Sequence, residues 1–199
     1  MIFIDPSKQS TQDNFKVLTG TIIPRPIAWV STMSLSGATN IAPFSYFNLV
    51  STQEPMISIS VRKDGGLQKD TSKNIFATKE FVVHMVSLEY LEAANQSSYP
   101  LPYEESEIDH LGLTLVPSTN ITVPGIKESK VRLECVYVTH VAFESTDLFI
   151  GKVVGIHLGV DVYEDGKINI DHLRIVSRLA GANYGLIGKV IPMSKPERI

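Results

Sequence analysis

Two long β-rich runs, Val131–Phe143 and Leu148–Val162, are separated only by Glu144-Ser145-Thr146-Asp147, a gap that fits a hairpin. This ribbon is the strongest constraint on the fold, because its two long strands need further strands against them. The sequence supplies them. Met56–Arg62 alternates strictly, with Met56, Ser58, Ser60 and Arg62 on one side and Ile57, Ile59 and Val61 on the other, as in a half-buried strand. Ile27–Met33 is apolar and β-branched, Phe81–Val86 reads as another strand, and Leu111–Val116 as a shorter one. Helical signals are few. Thr71–Lys79 is one candidate, with Thr71 as N-cap and Ile75 and Phe76 facing inward. Ser87–Ser98 is another, with Leu88, Leu91 and Ala94 at helical spacing. Tyr99–Ile108, with two prolines and three glutamates, reads as a solvated excursion, and Gly112–Gly125 as a loop across the surface. Many strands with one or two helices in the connections predict a mostly β chain, a closed or nearly closed antiparallel barrel without exposed edges. The 199 residues suit a single domain over 1–199, with a core of roughly 15–190 and a polar, mobile tail from Pro192.

Composition removes several classes of function. The formal net charge is -3 and no long basic patch is present, so no nucleic-acid surface is expected. No run reaches the roughly 18 apolar residues needed to span a bilayer, and the N-terminus lacks the basic and apolar regions of a signal peptide. A soluble, cytoplasmic protein is the expectation. The single cysteine, Cys135, lies in an apolar run and reads as a small buried hydrophobe. His84, His140 and His157 sit in apolar strand runs and read as core or interface residues. His110 and His172 show no ligand spacing, so no metal site is expected. No nucleophile elbow and no G-x-G-x-x-G after a strand are present.

Two segments are harder to explain by packing. Pro24–Asn48 reads PRPIAWVSTMSLSGATNIAPFSYFN. Its second half alternates small, aromatic and hydrogen-bonding residues, the mixture that a flat polar ring system needs. Ser31, Thr32 and the Ser45-Tyr46-Phe47-Asn48 run would serve its polar edge, and Tyr46, Phe47 or Trp29 would cover a face. Read alone, the same residues are a strand, a turn and a proline-bent strand. Downstream, Lys69-Asp70-Thr71-Ser72-Lys73-Asn74-Ile75 could open a helix whose free N–H groups, Thr71 hydroxyl and lysines attract an anion. Arg62, ending the preceding strand, could add a guanidinium, and Gly65-Gly66 lets the loop fold tightly. Read alone, this is a capped surface helix. Together the two segments suggest a flavin nucleotide.

In order and spacing, PRPIAWVST, G-x-x-N-x-APFS-x-F and KDT-x-x-NI resemble the flavin reductase-like family of FMN-binding split-barrel proteins, over roughly residues 15–190. The resemblance implies a six-stranded antiparallel Greek-key split barrel, a homodimer, and FMN near the subunit interface. It implies an oxidoreductase passing electrons from NADH or NADPH through the flavin to a flavin, metal complex or protein acceptor. A non-enzymatic FMN electron carrier or flavin store is the alternative. Carried over by position, Ser31 and Thr32 would touch the ribityl or phosphate end, and Ser45, Tyr46, Phe47 and Asn48 would line the ring. Lys69 and Thr71 would bind the phosphate, with Arg62 and Asn74 in support. Arg25 is a weaker candidate at the mouth, and Arg178–Tyr184 resembles a segment packed near the flavin. No residue is assigned a catalytic role. Many dedicated flavin reductases of this superfamily carry Gly-Asp-His before the strand corresponding to Leu148–Val162. Here the region is Glu144-Ser145-Thr146-Asp147, without the histidine.

Overall fold

The computed structural model describes residues 1–195. The part of the expected mobile tail at 196–199 lies outside the described residues. The chain builds one antiparallel sheet of seven strands: β1 (Ala28–Met33), β2 (Thr39–Phe44), β3 (Phe47–Ser51), β4 (Met56–Arg62), β5 (Glu80–Met85), β6 (Val131–Ala142) and β7 (Thr146–Leu158). Their order across the sheet is β2-β1-β5-β6-β7-β4-β3. β2 and β3 are therefore consecutive in sequence yet sit at opposite edges. In a flat sheet of seven strands those edges would be about 29 Å apart, at ~4.8 Å per gap. The Ser45-Tyr46 link allows at most about 11 Å between Phe44 and Phe47. The link therefore forces the sheet to roll, and the roll brings its two edges together without a shared ladder. This is a split barrel, one strand richer than the six expected, because Asn40–Asn48 breaks at Ser45 into two strands.

Inward-facing residues fill the roll. Ile57, Ile59 and Val61 of β4 are buried, as the alternation requires, and pack with Ala28, Val30, Val83, Cys135 and Phe149. Cys135 is a buried free thiol, and burial pushes its ionisation far up. The hairpin turns at Phe143–Ser145, closed by Phe143 N–H donating to the Thr146 carbonyl at 2.8 Å. Trp29 points out of the roll into a second cluster with Ile41, Val86, Ile108 and Ile126, and its indole N–H donates to Ser97 Oγ at 2.9 Å. The segment between β5 and β6 thus covers the outer face of β1 and β2.

Four expectations need correction. First, α1 (Thr11–Thr21) was not anticipated. Its signal is Ser10, whose hydroxyl oxygen accepts from the Asp13 N–H at 3.1 Å. Second, α2 spans Asp70–Thr78 and its N-cap is Lys69, so Thr71 lies within the first turn and its hydroxyl is free to bond elsewhere. Third, Ser87–Ser98 divides into a 3-10 turn, Leu88–Tyr90, and α3, Leu91–Gln96. Fourth, the excursion is not wholly solvated: Glu107 and Ile108 are buried in α4 (Glu107–His110), and Val123 is buried in the crossing loop. Ile75 is fully buried, and Phe76 packs on Phe149, as the sequence implied. Among the described residues no helix is long and apolar enough to cross a membrane.

Candidate functional site

A cavity of about 300 Å3 opens beside the split. The end of β2 and the link supply Phe44, Ser45 and Tyr46, and β4 supplies Ser60 and Arg62. Ser60 N–H donates to the Tyr46 carbonyl at 2.8 Å, holding the link against β4. α1 contributes Phe15 and Thr19, α3 contributes Leu91, Ala94 and Asn95, the turn after the short strand Val176–Arg178 contributes Gly181, and the strand that follows it, Tyr184–Leu186, contributes Tyr184. Lys69 reaches it from the cap of α2.

The electrostatics of this cavity are one-sided. Arg25, Arg62, Lys69 and Arg178 line it, and no aspartate or glutamate does. None of the four forms an ion pair among the described residues, although Lys63, Lys73, Lys130 and Arg174 do. Asp70, next to Lys69, is turned to Lys73 at 2.9 Å, which removes the one carboxylate the sequence placed near the anion site. Arg62 lies over the Phe15 ring, 5.5 Å from its centroid, and Arg178 over Tyr184 at 4.6 Å. Tyr184 OH donates to Asn95 Oδ1 at 2.8 Å, which fixes that ring. The result is a cationic cavity with aromatic and apolar walls, suited to a flat ligand that carries oxyanions.

The residues read from the sequence divide into three groups. Ser45, Tyr46, Arg62 and Lys69 line the cavity, as does Arg25. Ser31, Thr32, Thr71 and Asn74 are buried with their polar atoms bonded to protein. Ser31 Oγ donates to the Pro124 carbonyl at 2.7 Å. Thr71 Oγ1 donates to Asn40 Oδ1 at 3.0 Å, and Asn74 Nδ2 donates to Thr32 Oγ1 at 3.0 Å. Tyr103 OH donates to Asn74 Oδ1 at 2.8 Å. Asn40 Nδ2 and Ile41 N–H donate to the Glu107 carboxylate at 3.0–3.1 Å. Burial pushes the Glu107 carboxyl above its ordinary range, against the hydrogen bonds that favour its charge. This network ties the first turn of α2 to β1, β2 and α4, and so sets where Lys69 stands. Phe47 packs half-buried against the barrel core, and Asn48 is exposed with Oδ1 accepting from Leu49 N–H at 2.8 Å.

Sequence reasoning missed Phe15, Thr19 and Asn95 and gave Arg25 and Arg178 little weight. No local motif marks Phe15, Thr19 or Asn95, and the five meet only through the placement of α1, α3 and the returning C-terminal segment. The histidines are accounted for otherwise. His84 is fully buried, its Nδ1 bonded to the Trp29 carbonyl at 2.8 Å and its Nε2 accepting from Ile126 N–H at 3.0 Å. Burial lowers its pKa to about 3 and keeps it neutral. His157 bonds to the buried Glu134. Among the described residues no group of side chains is arranged to hold a metal ion.

Comparison with known proteins places this geometry. A solved structure of nitrilotriacetate monooxygenase component B from Bacillus cereus is 43% identical, covers 97% of this chain and 98% of its own, and superposes with a TM-score of 0.94. The 2-nitrobenzoate 2-nitroreductase NbaA of Pseudomonas fluorescens is 28% identical over 98% of this chain and 96% of its own, with a TM-score of 0.90. The protein YwrF of Bacillus subtilis is 42% identical over 98% of this chain and its own entire length. The sequence model of the flavin reductase like domain matches residues 19–172. The chain belongs to the flavin reductase-like domain family, with that family's split-barrel fold.

Proposed function

We propose that this chain is an FMN-binding oxidoreductase that takes reducing equivalents from NADH or NADPH and delivers them to a second acceptor, such as free flavin, a metal complex or a protein. The observation that carries this reading is the cavity with four cations, no carboxylate and aromatic walls. FMN fits those residues: its phosphate needs cations without competing acids, and its ring needs flat walls with hydrogen-bonding groups along one edge. Lys69 and Arg62 would hold the phosphate, while Ser45 and the Tyr46 backbone would face the ring. Bound there, FMN supplies the capacity to accept two electrons and return them singly or in pairs. The chain's own part is binding, orientation and charge. Cationic and hydroxyl groups in the lining favour an anionic ligand, and no imidazole or carboxylate is placed there to move a proton. The buried network beneath α2 keeps Lys69 in place.

Relatives bearing the names of a monooxygenase component and a nitroreductase support a redox role of this kind. One feature favours the carrier alternative. Asp147 is committed to Lys63 at 3.3 Å in the hairpin where dedicated reductases place a histidine. An anaerobic titration separates the two readings. Bleaching of the bound flavin's band near ~450 nm within seconds of adding NADH or NADPH supports the reductase. A band that bleaches only with dithionite supports the carrier, and failure to bind FMN at all refutes both.

The same reading includes a homodimer. α1 buries only Thr19, leaving Phe15, Val17 and Leu18 exposed. Leu49 and Val50 of edge strand β3 are exposed nearby in sequence to Tyr46. A second copy covering these groups would complete the rim of the cavity. Sedimentation of the FMN-loaded protein as a monomer would remove this part of the proposal.

A further inference from the structure

Arg25 is more than a wall of the cavity. It is 8% exposed and has no carboxylate partner among the described residues. Its guanidinium donates to the carbonyls of Thr19 (2.7 Å), Ile22 (2.7 Å) and Leu179 (3.0 Å), while its Nε is buried without any partner. Carbonyls at the end of α1 offset part of the charge, but a buried guanidinium without a counter-charge is costly. A second cation makes the arrangement stranger. Arg178 is directly opposite Arg25 in the antiparallel pairing of Arg25–Pro26 with Val176–Arg178. Like charges directly opposite are destabilising, and both arginines line the same cavity. Arg178 is held in place by the Tyr184 ring and by the Gly181 carbonyl at 2.7 Å, and it has no acid either.

We infer that Arg25 and Arg178 form a second oxyanion subsite, which takes a carboxylate or phosphate group of the small-molecule redox partner while the flavin phosphate is at Lys69 and Arg62. The inference rests on the flavin reading above. α1 gives the separation of the two ends. Arg62 lies over Phe15, whereas Arg25 grips the carbonyls of residues 19 and 22. Those points are one to two helical turns apart, about 6–10 Å along the axis. One phosphate does not bridge both pairs, so four unpaired cations in one cavity imply two anionic groups. An anion between Arg25 and Arg178 would relieve the repulsion of the paired arginines and supply the counter-charge that both lack.

Isothermal titration calorimetry tests this with two probes, sodium benzoate and sodium pyrophosphate, added separately to FMN-loaded and FMN-free protein. The expected result is saturable binding of at least one probe to the FMN-loaded protein. Arg178→Met should weaken it at least about tenfold, while FMN affinity changes less than about threefold. Arg178→Met is chosen because it keeps the contact with Tyr184, whereas Arg25 substitutions also remove three backbone contacts. Benzoate alone binding points to a carboxylate substrate, and pyrophosphate alone points to the phosphates of a nicotinamide dinucleotide. Three results overturn the subsite: neither probe binds, Arg178→Met leaves binding unchanged, or Arg178→Met weakens FMN as much as the probe. If FMN does not bind but a probe does so in an Arg178-dependent way, the flavin reading falls and the subsite stands.

Discussion

Lys69→Ala and Thr71→Val lie two positions apart in sequence and should nonetheless fail differently. Lys69 is exposed at the cavity, with no side-chain partner at the cap of α2. Thr71 is 2% exposed, and its hydroxyl is spent on Asn40 Oδ1 at 3.0 Å. A lysine ammonium about 4 Å from a phosphate contributes roughly 1 kcal/mol in water and up to about 4 kcal/mol near a protein surface. Because Lys69 is open to solvent, the low end applies, roughly 1–2 kcal/mol, or a Kd about 5- to 30-fold weaker for FMN. Riboflavin lacks the phosphate and should change less than about twofold. The selectivity should also shrink as salt approaches 1 M, where the screening length falls to about 3 Å. Thr71→Val removes one buried donor and leaves Asn40 Oδ1 with only the longer 3.3 Å contact from Thr32. That should cost about 1–2 kcal/mol of stability, with FMN and riboflavin affected alike. Fluorescence titration with both flavins and urea unfolding of both variants measure all of this. Equal losses of FMN and riboflavin in Lys69→Ala would refute the phosphate assignment. A loss confined to FMN in Thr71→Val would show that the hydroxyl serves the ligand after all.

Three further outcomes follow from the packing. His84 is neutral in the fold with its pKa lowered to about 3, against 6.5 unfolded, so its contribution is full above pH 6.5 and falls as the unfolded chain takes up the proton. Between pH 7 and pH 5 urea unfolding should show a loss of about 2 kcal/mol, absent in His84→Asn; an unchanged slope in that variant would contradict the assignment. Gly151→Ala should lower stability by about 1–3 kcal/mol, because the added Cβ would meet the buried Phe81 ring; a neutral urea midpoint would show that the ring yields freely. Glu107→Gln places an NH2 group against donors from Asn40 and Ile41, and should cost about 1–3 kcal/mol together with faster amide exchange in the first turn of α2. Unaltered exchange there would mean that the network does not hold that turn.

The sequence exposes the fold more readily than the site. Period-two alternation in Met56–Arg62 and the four-residue gap after Phe143 are local signals, and each survives in the structure as β4 and the β6–β7 hairpin. The rolled shape depends on strand order, which no local pattern encodes, although the shortness of Ser45-Tyr46 makes it unavoidable once the order is known. At the site, Lys69 and Arg62 were legible because they end a helix and a strand at a recognisable loop. Thr71 misled because a threonine beside a helix start looks like a cap, whereas Lys69 takes that place and Thr71 turns inward. Arg25 and Arg178 were obscure for a different reason: they are 153 positions apart and meet only through the pairing of two short strands.

The division between a bonded, buried network and an unbonded, cationic cavity explains how one fold can hold a charged ligand without collapsing around the vacant charge. Four unpaired cations lower the stability of the chain, and the fold tolerates them because three are restrained by contacts other than an acid and the fourth is open to solvent. Arg62 and Arg178 rest on aromatic faces, Arg25 is gripped by carbonyls, and the backbone of exposed Lys69 is set by the cap of a helix that Asn40, Asn74 and Glu107 lock to the sheet. Carboxylate partners would have stabilised these cations equally well, but they would also have competed with any incoming oxyanion. Restraint by neutral groups leaves the positive charge oriented and available. The acids that are near, Asp70 and Glu107, are each turned to a partner that keeps them out of the cavity.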